Sequence, residues 1–160
     1  MGKEMYQVKI GEQTRLYEAG TTYREIAKEY QKDYEDDIVL VFVNGKLQEL
    51  FKKLKSDCVL EFETTAGEIG HRAYQRSISL MMVKAVYDVA GHDAIEKVRI
   101  HFSVSKGYYC TVKGNISVNQ EFLDRVDARM WEMVEKDMPI NKRSVRTDDA
   151  IALFGRHGMH

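Results

Sequence analysis

The sequence predicts a two-part α+β protein, and three observations carry that expectation. Strand-length alternation of apolar and polar residues fills most of residues 5–63, with one capped helix inside it. Helical periodicity takes over just after Thr65 and persists for more than twenty residues. The charge balance shifts near the same place. Of 24 basic and 25 acidic side chains, residues 1–63 hold 10 and 13, leaving 14 and 12 for residues 64–160. Two domains are therefore expected, 1–63 and 64–160, with no low-complexity linker between them and no internal repeat.

The elements of the first part follow in order. Met5-Tyr6-Gln7-Val8-Lys9-Ile10 alternates with the period of a half-buried strand. Gly11-Glu12 turns the chain, and Thr14-Arg15-Leu16-Tyr17-Glu18 returns as a hairpin partner. Thr22-Tyr23-Arg24-Glu25 is a capping box, in which the Thr hydroxyl accepts from a backbone N–H and Glu25 reaches back. Ile26, Ala27 and Tyr30 then give one apolar helix face. Ile38 to Val43 is apolar at every position, which suits a central strand buried on both faces. Asn44-Gly45 tolerates positive φ and ends it. Lys46–Leu50 is a short edge segment, and Cys58 to Glu63 alternates again. The order β-β-α-β-β-β describes a small domain of β-grasp type.

In the second part, Thr65-Ala66-Gly67-Glu68 is a second capping box. Ile69, Ala73, Ile78, Met81, Ala85, Val86 and Val89 mark a helix to about Ala90, stopped by Gly91. Val98, Ile100, Phe102 and Val104 alternate with Arg99, His101 and Ser103 as an amphipathic strand. Gly107-Tyr108-Tyr109-Cys110-Thr111-Val112 is its hairpin partner. Asn119 caps a third helix carried by Phe122, Val126, Met130 and Val134, with Pro139 just past its end. Asn141–Arg146 reads as extended. Thr147-Asp148-Asp149 opens a short helix that Gly155 closes. Met81, Met82, Met130, Met133 and Met138 read as core filler rather than a partner groove.

Composition excludes several classes. Hydrophobic residues make up 44% of the chain and charged residues 31%, which suits a packed domain rather than a disordered one. The formal net charge is −1, so nucleic-acid binding would need a local patch. Cys58 and Cys110 lie in apolar strand runs without metal-ligand spacing and read as buried free thiols. No apolar run approaches the roughly 20 residues that span a bilayer. Met1-Gly2-Lys3-Glu4 carries no signal-peptide core, and Tyr6 stands where a myristoylation signal wants Ser or Thr. The expected location is cytoplasmic.

Val41-Phe42-Val43-Asn44-Gly45-Lys46-Leu47-Gln48-Glu49-Leu50, followed by Ser56-Asp57-Cys58-Val59-Leu60-Glu61-Phe62, resembles the TGS domain. That β-grasp module occurs in threonyl-tRNA synthetases, some GTPases and the bifunctional alarmone enzymes, and the match covers residues 5–63. Residues 66–160 resemble the second domain of threonyl-tRNA synthetase, shared with alanyl-tRNA synthetase and free-standing editing proteins; Gly107-Tyr108-Tyr109 and the helix Asn119–Asp137 carry that likeness. The implied fold is a β-grasp (TGS) domain followed by an editing-like α+β domain. The pair also opens a group of bacterial uridine kinase-like proteins, and Ser144-Val145-Arg146 to Phe154-Gly155-Arg156-His157-Gly158-Met159 is close to that group. There a P-loop kinase domain follows. This chain holds no GxxxxGK followed by Ser or Thr, so the resemblance implies a non-catalytic N-terminal region of a nucleoside kinase. ATP and Mg would belong only to the kinase domain, and no cofactor is expected in this chain.

The editing domains deacylate mischarged tRNA through an HxxxH pair and a later CxxxH pair. His71 stands where the first histidine would be, but Gln75 occupies the position four residues on, and CxxxH is missing. Residues four apart share a helix face, which is why two histidines there can share a metal; Gln is a poor zinc ligand. No catalytic residue and no metal ligand is therefore assigned. His71 and Gln75 either line an inherited cleft or form a polar pair on a solvated face. Arg72 and Arg76 make a basic stripe on the same helix. Lys142-Arg143-Ser144-Val145-Arg146 is the densest basic run, and either group would contact phosphates or be a solvated surface. Tyr108 and Tyr109, beside Lys106, offer rings for base stacking, with one of the pair expected in the core. His157 and His160 are spaced like a weak ligand pair. His92 at a helix end and His101 on a polar strand face need no function. Glu35, Asp36 and Asp37 read as a solvated loop.

Three functions follow: an RNA/tRNA- or small-ligand-binding regulatory module for the attached kinase domain, an aminoacyl-ester hydrolase around His71, or a homo-oligomerisation module.

Overall fold

Alternating side chains in the N-terminal half can bury one face only if the strands align in register, and the observed pairing does this. The structure, a computed structural model, describes residues 4–105 and 107–156. His157, His160 and Lys106 lie outside them. The chain divides into two units, Met1–Arg76 and Ser77–His160.

The first unit is a five-stranded mixed sheet. Its strands are β1 (Met5–Ile10), β2 (Gln13–Glu18), β3 (Ile38–Val43), β4 (Lys46–Glu49) and β5 (Cys58–Thr64), in the order β2-β1-β5-β3-β4. β1 and β5 pair in parallel and the other neighbours antiparallel. Register places Ile10 beside Leu60 and Leu60 beside Val43, with Val8 beside Cys58 one step along. Helix α1 (Tyr23–Tyr30) lays Tyr23, Ile26 and Tyr30 against these rows. Thr22 and Glu25 form the expected capping box: the Glu25 amide donates to Thr22 Oγ1, and Thr22 N donates to Glu25 Oε2 at 2.7 Å.

β3 departs from its expected burial. Only Ile38 and Val41 are buried, and the other four residues are half-buried. A bulge lies between Ile38 and Leu40, where β3 uses two steps against one on β5. It resets the alternation, so residues three apart face the same core. Leu40 then falls on the face opposite Val41. There Leu40 and Leu47 meet Ile69 and Ala73 from the start of α2 (Glu68–Ala90).

The start of α2 also differs from expectation. Glu68 is the first helical residue and does not act as the third residue of a capping box; it pairs with Arg72. The orphan amide of Gly70 donates instead to Glu63 Oε1, at 3.1 Å, from the end of β5. Gly70 is buried, and a Cβ there would lie 2.0 Å from the Thr64 carbonyl oxygen.

In the second unit β6 (Ile95–Val104) and β7 (Gly107–Gly114) form a two-stranded antiparallel ribbon. α3 (Gln120–Glu135) is capped by Asn119, whose Oδ1 accepts from Phe122 N at 2.9 Å. The core joins Ala85 and Val86 of α2, Ile95 of the ribbon, and Phe122, Val126 and Met133 of α3, with Met81, Met130 and Met138 packed around them. Val134, an expected core residue, is exposed. At 100° per residue, position 133 returns to within about 20° of Phe122, whereas 134 lies about 120° away. α4 (Thr147–Arg156) runs through Gly155 rather than stopping there, and none of its residues is buried. Cys58 is buried but Cys110 is only half-buried, and both are free thiols. No helix among the described residues is long and apolar enough to cross a membrane.

The last turns of α2 are tied to α3 by charge. Asp88 receives Lys84 Nζ at 2.9 Å and Arg129 Nη2 at 2.8 Å. Arg125 Nη2 donates to the Val89 carbonyl at 3.0 Å, satisfying an orphan acceptor at the helix end. Burial alone would raise the Asp88 carboxyl, but the Lys84 and Arg129 hydrogen bonds outweigh it and hold it below the usual carboxylate value.

Two outcomes are expected. Gly70→Ala forces Thr64 or α2 to shift and destabilises the first unit by about 1–3 kcal/mol in urea unfolding, as overpacking does. Asp88 gives stability that is complete above the ordinary carboxylate value and is lost as pH falls through the lower folded value. Thermal melts of the second unit's signals should therefore drop in that acid window, and Asp88→Asn should flatten the drop.

Candidate functional site

Residues Glu68 to Arg76 form two turns of α2, and their helical spacing separates the expected site residues into two faces. Ile69, Arg72, Ala73 and Arg76, at i, i+3, i+4 and i+7, face the β3–β4 hairpin. With Leu40, Leu47, Gln48 and Glu49 they enclose a cleft of about 390 Å³. Its lining combines four apolar side chains with two arginines, one glutamine and one carboxylate. Arg72 is held by Glu68 within the same helix.

His71 and Gln75 lie about 100° round the helix from Arg72 and Arg76, and neither lines that cleft. They bond to each other, with Gln75 Nε2 2.9 Å from His71 Nε2. The pair lies on an exposed helix face. Among the described residues no group of three or more His, Cys, Asp and Glu side chains is placed to hold a metal ion. The arrangement can position a ligand by hydrogen bonds and charge.

The second unit holds Tyr108 and Tyr109, the pair expected to offer rings for stacking. Tyr108 and Tyr109 are 45% and 50% exposed, so neither is in the core, contrary to expectation. A bulge explains Tyr109. Between Ile100 and Ser103, β6 advances three residues while β7 advances two, from Cys110 to Tyr108. His101 and Phe102 therefore both oppose Tyr109. Phe102 stacks on Tyr109 with ring centroids 5.5 Å apart, and His101 lies 5.4 Å from the same ring. His101 Nε2 also meets Thr111 Oγ1 at 2.8 Å. The result is an exposed three-ring platform. His101 and Phe102 were missed as site residues because unbroken alternation sends Phe102 to the core and His101 to solvent.

Lys142, Arg143 and Arg146 lie on an irregular, exposed segment before α4. Arg146 approaches Asp148 at 3.9 Å, with both side chains almost fully exposed. The Arg146 carbonyl accepts from Ala150 N and begins α4. No strand pairing is formed over residues 141–146, and every residue there is exposed. A third basic group, Lys52, Lys53 and Lys55 on the loop between β4 and β5, also escaped the sequence reading. Two of its members are separated by a core residue, Leu54, which disguised the run.

No protein-family model matches the chain. Among curated proteins it is similar to threonine–tRNA ligases. That of Desulforamulus reducens is 29% identical over 144 residues, covering 88% of this chain and 22% of the relative. That of Halorhodospira halophila is 26% identical over 144 residues, covering 90% and 22%. That of Thermotoga petrophila is 25% identical over 139 residues, covering 86% and 21%. The chain thus spans about a fifth of the length of these relatives. Most of the chain is therefore an α+β region similar to a segment of threonyl-tRNA synthetases.

Proposed function

We propose that this chain is a non-catalytic RNA-binding module, with tRNA as its target. The observation that carries this reading is similarity to tRNA ligases across 88% of the chain. Residues 1–63 act as a β-grasp domain of TGS type and residues 64–160 as a region like the second domain of threonyl-tRNA synthetase. The uridine kinase-like parent rests on Ser144–Arg146 and Phe154–Arg156, and on His157–Met159 beyond the described residues. In that reading a kinase domain carries ATP and Mg, and this module senses RNA for it.

The chemistry divides by unit. Arg72 and Arg76 meet phosphate in the first. In the second, Lys142, Arg143 and Arg146 meet phosphate, while Tyr109 and Phe102 stack on an unpaired base. Phosphate contacts release counterions, so binding weakens steeply with salt. Base stacking contributes about 1–3 kcal/mol per ring and depends little on sequence.

The measurement that tests this is an amide-resolved NMR titration with bulk tRNA at low and near-physiological salt. Salt-sensitive shifts are expected at Arg72, Arg76, Phe102, Tyr109, Lys142 and Arg146. Tyr109→Ala should weaken binding by about 1–3 kcal/mol. Arg146→Gln should reduce the salt slope by about one unit. No shift at either salt would remove RNA as the ligand.

The hydrolase alternative has its own test. The chain is expected to leave mischarged tRNA intact, because Gln75 stands where the editing pair has its second histidine. Deacylation above background that vanishes in His71→Ala would make the chain an editing enzyme instead.

A further inference from the structure

Helix α3 carries more apolar surface than the core of its unit uses. Phe122, Val126 and Met133 are buried in that core. Leu123, Trp131 and Val134 are exposed, Trp131 by 62%. At 100° per residue these three fall within about 80° of one another, so they form one stripe beside the buried face rather than scattered positions. Asp127 lies within that arc, and Asp124 and Glu135 lie about 20° and 40° beyond its Trp131 edge. Both arginines of the helix are turned to α2, Arg125 to the Val89 carbonyl and Arg129 to Asp88. Five carboxylates against those two arginines make Gln120–Glu135 acidic.

Helix α4 of the same unit has the opposite charge and the same want of cover. It has ten residues, fewer than the roughly 12–15 that a helix needs to persist alone in water, and none of them is buried. Ile151 and Phe154, one turn apart on one side, are 66% and 51% exposed. Lys142, Arg143 and Arg146 precede the helix and Arg156 ends it, four cations against two carboxylates. Those two, Asp148 and Asp149, sit in the first turn, where the helix dipole favours them. A short amphipathic helix is held by whatever covers its apolar side. The α3 stripe and the α4 side are uncovered together, so α4 does not serve the stripe of its own chain. An acidic apolar stripe and a basic apolar helix on one chain fit a second copy of that chain, because each copy supplies what the other lacks. Reciprocal seating closes as a two-fold dimer.

We propose that two copies of this chain associate by exchanging α4. Ile151 and Phe154 of each copy seat on Leu123, Trp131 and Val134 of the other, with Arg143 and Arg146 facing Asp127 and Glu135. The contact forms with no RNA present, so its failure and that of the RNA reading are distinguishable.

Trp131 is the only tryptophan of the chain, and its emission reports on the stripe directly. The experiment is light scattering with Trp131 fluorescence on the whole chain, from micromolar to millimolar concentration. A dimer is expected, with the emission moving to the blue as it forms. Ile151→Glu with Phe154→Glu should weaken association about ten-fold or more and leave the emission unshifted. Both side chains are exposed, so the variant should keep the native NMR dispersion. Charge reversal gives a second test. Asp127→Lys with Glu135→Lys, and separately Arg143→Glu with Arg146→Glu, should each weaken the dimer, and mixing the two variants should restore it. The proposal is overturned by a monomer at millimolar concentration, by a dimer insensitive to the α4 substitutions, or by a dimer without the blue shift. It is overturned equally by a mixture of the charge variants that stays monomeric, or by blue emission at every dilution, which would place α4 on its own α3.

Discussion

The close approach of Gly70 to the Thr64 carbonyl sets the rotation of α2 about its own axis. A helix has one degree of freedom that periodicity alone leaves open, which is where its faces point once it docks. Here no side chain separates Gly70 from the strand end, and Glu63 holds the Gly70 amide. With that contact in place Ile69 and Ala73 must cover Leu40 and Leu47, and Arg72 and Arg76 must line the cleft. His71 and Gln75 are carried to a different face by the same rotation.

This separation bears on chemistry. A metal-binding or proton-transferring histidine needs a free lone pair and a second group converging on the same point. His71 is bonded to Gln75, and among the described residues no group of three or more His, Cys, Asp and Glu side chains is placed to hold a metal ion. Arg72 and Arg76 share their cleft with Glu49 and with apolar side chains, and Arg72 pairs with Glu68.

Much of the fold was legible because it rests on local rules. Thr22 and Glu25 cap α1, Asn119 caps α3, and Gly91 ends α2 with a positive φ that a glycine accepts freely. The misreadings share a physical origin in register and helix phase. At Val39 and at His101–Phe102 one extra residue shifts the alternation, and no residue type marks the place. Apolar residues continue on both sides of each bulge, so a period of two runs through it unbroken. The cap on α2 comes from Glu63, outside the four-residue window in which a capping box is sought. Val134 lost its place to Met133 because helix phase drifts over eleven residues. Among the site residues, spacing placed His71 with Gln75 correctly, but only tertiary pairing could bring His101 and Phe102 to Tyr109.

Charge was hidden in the same way. Counted by halves, the first part is acidic and invites no anion. Counted by neighbourhood, several of its carboxylates already serve the fold: Glu25 serves the α1 cap, Glu29 accepts from Tyr17, Asp57 holds Gln7, and Glu63 holds Gly70. Each is committed to a hydrogen bond that the fold requires. The Phe51–Lys55 loop carries three lysines on a backbone held by Leu54, with Lys52 paired to Glu49. Ligands respond to local potential far more than to net charge, since charges beyond a Debye length of about 8 Å are largely screened at physiological salt. An acidic domain can therefore carry a local group of lysines, with several of its carboxylates already tied down by structure.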